Sequence, residues 1–127
     1  MDRKRAEALA RLAALAAMKR EAELAKLAAV AQSRARLQGA LQALKAVEAP
    51  LDPAEAVSDP ALVGARLAHR RWSEAQSRRL NQQLAMVTVD WMRQKPAAAK
   101  AFGRAAVLEG LAGKAEAALK AENAKGE

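Results

Sequence analysis

Apolar side chains recur at intervals of three and four along most of the chain, the period of an α-helix that buries one face. In the N-terminal part Leu9, Leu12, Ala16, Leu24, Leu27, Val30, Leu37, Leu41 and Leu44 carry the pattern. From Leu27 onward, positions 27, 30, 34, 37, 41 and 44 hold a heptad register with Arg34 as its one polar member. Carried backward, that register lands on Glu23 and Arg20, both polar, while the apolar stripe shifts to Leu24. A stutter in the repeat is therefore expected between Met18 and Leu24.

The pattern stops at a proline-rich segment. Ala49 precedes Pro50, and a residue before proline is pushed out of helical geometry, so the first arm is expected to end there. Asp52-Pro53 and Asp59-Pro60 both read as an N-cap followed by a first helical residue, and the second pair is expected to start the second arm. In that arm Leu80, Leu84, Val87 and Trp91 follow a 4-3-4 spacing. The stripe continues through Ala98, Phe102, Ala105 and Leu108, with Leu67 and Trp72 preceding it less regularly. Pro96 removes one backbone hydrogen bond and clashes with the preceding turn, which predicts a kink or break near Trp91 to Lys95.

The expected organisation is a first long helix over 1–49, an acidic hinge over 50–60, a second helix over 61–120 kinked near Pro96, and a frayed tail over 121–127. The fold class is all-α: an elongated antiparallel two-helix coiled coil, or α-helical hairpin. An arm of about 45 residues would reach roughly 65 Å, too long for a compact domain of this size. The best-registered pairing is expected between Leu24–Leu44 and Leu62–Trp91. The seam comprises Leu27, Val30, Leu37, Leu41, Leu44, Leu80, Leu84, Val87 and Trp91.

Composition agrees with this reading. The 127 residues include 36 alanines and no isoleucine, and the only aromatics are Trp72, Trp91 and Phe102. Alanine favours helix but fills little space, so a thin seam between helices is easier to build than a thick interior. No cysteine is present, which removes disulfides, thiolate metal ligands and a cysteine nucleophile. The longest apolar run near the start, Leu12 to Met18, is too short to cross a bilayer, and no cleavage pattern follows it. A cytoplasmic protein, peripheral to a membrane at most, is expected.

The net charge is +8, with the positive charge spread along both arms and the hinge acidic. An anionic partner follows from that balance: an acidic protein surface, nucleic acid or a membrane. The densest basic cluster is Arg70, Arg71, Trp72, Arg78 and Arg79, and it is the candidate partner-binding site. The plainer reading of this cluster is a solvated helix face. Arginine could pair with phosphate and tryptophan could stack on bases, but aromatics are too few for nucleic acid to be the favoured partner. Trp72 and Trp91, separated by 19 residues, read as sharing a face and filling the seam; the alternative is that one is an exposed anchor.

Nothing points to catalysis. His69 is the only histidine and has no further ligands at metal-binding spacing. The carboxylates are scattered singly, and Ser33, Ser58, Ser73 and Ser77 have no base partner. Gly110-Leu111-Ala112-Gly113-Lys114 lacks the glycine spacing and the Ser/Thr of a phosphate loop. No catalytic residue, metal or cofactor is expected.

Three short stretches resemble the flagellar FliJ family: Ala65-Arg66-Leu67-Ala68-His69-Arg70-Arg71-Trp72, then Asn81-Gln82-Gln83-Leu84, then Asp90-Trp91-Met92-Arg93-Gln94-Lys95. The likeness lies in an Arg-Trp pair opening the second helix, a glutamine-rich helix, and a tryptophan followed by basic residues. It covers about 35 residues, and the chain departs from the pattern in its alanine content, its long proline-rich hinge and Pro96. The resemblance implies an antiparallel coiled coil similar to the two-helix stalk of the rotary ATP synthase γ subunit. It implies a non-enzymatic coupling protein of the type III export apparatus, with the hexameric export ATPase, the export gate and export chaperones as partners. Only Arg71-Trp72 and the neighbouring helix surface are carried over. Two other readings stand beside it: a basic helical protein associated with nucleic acid, and a generic hairpin adaptor or chaperone, pairing with itself or with a second copy.

Overall fold

The computed structural model describes residues 2–47 and 59–126. They form two helices packed against each other, α1 over Arg3–Val47 and α2 over Pro60–Gly126, and no strand. Each helix opens on an aspartate that answers its unpaired N–H groups. The Ala61 N–H donates to Asp59 Oδ1 at 3.1 Å and the Lys4 N–H donates to Asp2 Oδ1 at 3.2 Å. The main-chain carbonyls of the same aspartates accept from Val63 and Ala6. Asp59-Pro60 thus starts the second helix as its sequence suggests, whereas Ala49 and Asp52-Pro53 lie outside the described residues. The tail beginning at 121 is helical as far as Gly126.

The chain divides into two compact units, the first joining Met1–Ala29 to Trp91–Glu127 and the second spanning Val30–Asp90. In the second unit the protected positions of α1 are Val30, Ser33, Arg34, Leu37, Leu41 and Leu44. Those of α2 include Val63, Arg66, Ser73, Ser77, Leu80, Leu84 and Val87. Arg34 donates from Nε to Thr88 Oγ1 at 3.3 Å, so the one polar member of the expected register has a partner on the other helix. Leu67 and Trp72 point away from this seam and are exposed.

In the first unit the protected positions include Ala6, Leu9, Ala13, Ala16, Arg20, Glu23 and Leu27 on α1, with Ala8 and Ala17 at their side. On α2 they are Trp91, Gln94, Ala98, Ala101, Ala105, Leu108, Ala112, Ala115, Ala118 and Leu119. Two sequence expectations are corrected here. The α1 series alternates by three and four without a stutter: Arg20 and Glu23 keep their places in the seam, and Leu24 and Leu12 are exposed. On α2 the stripe passes through Ala101 rather than Phe102, which is 57% exposed. Protected positions in this unit run from Ala6 to Leu27 on α1 and from Trp91 to Leu119 on α2.

The physical reason is that Arg20 and Glu23, the polar side chains at these seam positions, are satisfied. A buried polar group is costly only when it lacks a partner, and both of these have one. Glu23 is held by Lys19 and Gln94, as described below. Arg20 lays its stem along the seam and carries its guanidinium outward to Glu21 and Glu109, at 3.3 and 3.1 Å.

Pro96 does not interrupt α2. Its ring removes one hydrogen bond, to the Met92 carbonyl, and the protected positions Gln94 and Ala98 on either side keep the helix in place. The division between the units falls at Asp90 and Trp91, just over one turn before it.

Candidate functional site

All five residues of the expected partner-binding cluster, Arg70, Arg71, Trp72, Arg78 and Arg79, are exposed on α2 within the second unit. They do not form one flat row. Arg71 and Arg78 are seven residues apart and stack along one stripe, and Trp72 and Arg79 do the same on the next. Arg70 is turned toward Glu74, its Nε 3.8 Å from the carboxylate. His69 stacks on Trp72 with ring centroids 5.7 Å apart and planes at 27°. That contact orients the indole while leaving Trp72 53% exposed.

The two tryptophans are not on one face. Nineteen residues amount to five turns plus about 100° of rotation, which is enough to move a side chain out of the seam. Trp91 is half-buried in the first unit with Lys95 Nζ 4.3 Å above its ring, a cation–π contact. Trp72 is therefore the exposed member of the pair, and the shared-seam expectation is corrected.

A second polar cluster, not anticipated from composition, centres on Glu23 in the first unit. Its side chain is only 7% exposed. Lys19 Nζ donates to Oε1 at 2.7 Å, and Lys26 Nζ stands 3.5 Å from the same oxygen. From the other helix, Gln94 Nε2 donates to Oε2 at 2.6 Å and to the Glu23 main-chain carbonyl at 3.1 Å. The Lys19 hydrogen bond foremost, then that of Gln94, outweigh desolvation and lower the Glu23 pKa from 4.5 to about 2. The backward heptad through residues 23 and 20 was the signal for this cluster, because the period persists even where polarity changes.

The sign of the resulting pH dependence is fixed. A carboxylate with a lowered native pKa stabilises the fold above its unfolded pKa and loses that contribution as pH falls through the native one. Glu23 therefore contributes fully above about pH 4.5, and the contribution disappears toward pH 2. Thermal melts of wild type and Glu23→Gln at pH 6, 4 and 2 check this. The wild-type advantage should shrink across that interval, and a constant difference at all three pH values would contradict it.

Beside Glu23 lies a groove of about 260 Å³, lined by Ala16, Lys19, Glu23, Ala97, Lys100, Ala101, Arg104 and Leu108. A second groove in the same unit, of about 480 Å³, is lined by alanines with Glu7, Glu109 and Glu116. Among the described residues no three metal-ligating side chains cluster, and no helix is long and apolar enough to cross a membrane. Compared with protein-family models, curated proteins and solved structures, the chain matches none. What the arrangement offers is surface for contact: an oriented, exposed tryptophan among arginines on one unit, and charged grooves on the other.

Proposed function

We propose that this chain is a non-enzymatic antiparallel coiled-coil coupling protein of the flagellar, or type III, export apparatus, acting in the cytoplasm on the export ATPase ring and the export gate. The observation that carries the reading is the outward placement of Arg71-Trp72, the pair on which the resemblance to the FliJ family rests. A tryptophan held by His69 and flanked by arginines is the composition of an interface hot spot. The antiparallel arrangement is supported by the cross-helix partners, since Glu23 meets Gln94 while the earlier Arg20 meets the later Glu109. The 3-4 alternation of protected positions along α1 supports a coiled coil. Thin alanine seams leave most charged side chains on the surface, which suits many weak polar contacts with successive subunits of a ring.

The test is co-purification with a hexameric export ATPase and stimulation of its hydrolysis rate. Wild type should do both at low salt, and Arg71→Glu with Trp72→Ala should lose both while keeping its helical circular dichroism. Failure of the wild-type chain to bind or stimulate would refute the reading. A steep fall of affinity for single-stranded nucleic acid with salt would favour a nucleic-acid role instead.

A further inference from the structure

The two grooves of the first unit differ in how their charges are matched. In the larger groove each acid faces a cation: Glu7 with Arg3 at 3.5 Å, Glu109 with Arg20 at 3.1 Å, Glu116 with Lys120 at 3.5 Å. In the smaller one Lys19 and Lys26 already hold Glu23. Lys100 and Arg104, one helical turn apart and both exposed, pair with no carboxylate among the described residues. Three cations, Lys19, Lys100 and Arg104, thus line the groove with one carboxylate above an alanine floor, and Lys26 holds that carboxylate from outside the groove.

The flank continues beyond the groove as an apolar surface. On α1, Leu12, Leu15 and Lys19 fall on one stripe by helical spacing. On α2, Lys100, Arg104, Val107 and Leu111 do the same. Because Lys19 and the Lys100–Arg104 pair line the same groove, the stripes border it from both sides. Leu12, Leu15, Val107 and Leu111 are all exposed, at 45–62%. Aliphatic side chains left in water beside unmatched cations are the two halves of a recognition surface for an amphipathic helix.

We propose that this flank of the first unit docks an amphipathic helix of another protein, its carboxylates on Lys100 and Arg104 and its aliphatic side chains on Leu12 and Leu111. The bordering stripe of α1, from Leu12 to Lys26, is about 21 Å long, room for about four turns of the docked helix. A second copy of this chain does not fit by a two-fold contact. Such an interface presents the same patch on both sides, which would set like cations together in a chain of net charge +8. Nucleic acid is disfavoured because half of the flank is aliphatic and no aromatic ring lines the groove. The inference does not depend on the export reading.

The test uses the full chain and a fluorescein-labelled synthetic helix of about four turns, with glutamates on one half of its face and leucines on the other. Fluorescence anisotropy should show binding of this peptide and none of its Glu→Lys or Leu→Ser counterparts. Lys100→Glu with Arg104→Glu, and separately Leu12→Ser with Leu111→Ser, should each weaken binding by about tenfold or more. Arg36→Glu with Lys45→Glu, on the other unit, should leave it unchanged. Circular dichroism checks folding, and Lys100→Gln with Arg104→Gln serves if charge reversal unfolds the chain. Undiminished binding by these groove variants overturns the proposal. So does tighter binding, on the same residues, of a single-stranded oligonucleotide.

Discussion

Alanine at Gly39, Gly103 and Gly110, combined with Pro96→Ala, should raise the unfolding free energy of this protein by roughly 4–6 kcal/mol. Glycine within a helix costs about 0.5–1 kcal/mol relative to alanine, and an interior proline about 3 kcal/mol. All three glycines are helical, none has a positive φ, and an added Cβ at any of them meets nothing within 4 Å. Pro96, Gly103 and Gly110 are spaced by seven and lie on the side of α2 turned away from the protected series through Gln94, Ala98, Ala101 and Ala105. The new side chains therefore enter solvent and disturb no packing. Successive sites are about 10 Å apart along the helix, far enough for their effects to add. Urea titration of the four-site variant would check the sum against the single variants. An unchanged midpoint would mean that the unfolded chain gains as much helix as the native one.

That placement also explains why the helix runs through Pro96 without the break that was one of the two outcomes expected there. A helix breaker is judged by the bond it removes, but its effect depends on which face it occupies. At Pro96 the lost bond is on the exposed side of the helix, where Met92 and Pro96 both face solvent, and the seam residues on either side continue to pack. The same logic applies to Glu23. Read by polarity alone, it should sit outside; read by period, it belongs inside. The period prevailed because Gln94, 71 residues away, supplies the missing donor. No local pattern could have shown that partner. By contrast, Asp59-Pro60 and the leucine register from Leu27 to Leu44 were legible, since a cap and a heptad are written within a few residues of each other.

The candidate surfaces divide in the same way. The arginine cluster was visible as composition, but the exposure of Trp72 required the angle between residues 72 and 91 to be counted, not approximated to whole turns. The groove beside Glu23 was invisible, because it depends on which stripe of α2 lies against which stripe of α1. Glu23 and Gln94 bear on that choice as well. In a seam made largely of alanine and leucine, many alignments bury similar area, and one paired polar layer favours a single register at some cost in stability.

How closely the helices approach in the first unit can be tested at one position. Ala105 is fully buried, and Ala98, Ala101 and Ala115 on the same stripe are nearly so. If these methyl groups fill the interface, Ala105→Leu adds three heavy atoms where there is no room. The helices would have to part or the side chain leave its preferred rotamer, costing about 1–3 kcal/mol. The exposed neighbour Ala106→Leu adds the same atoms to the outside and should change stability by about 0.5 kcal/mol or less. The difference between the two substitutions removes intrinsic helix propensity from the comparison, because both exchange alanine for leucine in the same turn. A loosely packed seam would give the opposite sign, since leucine would then fill a gap and bury more apolar area. A stabilising Ala105→Leu would thus overturn the close-packed alanine seam, whereas a destabilising one would show that the small side chains at these positions set the distance between the helices.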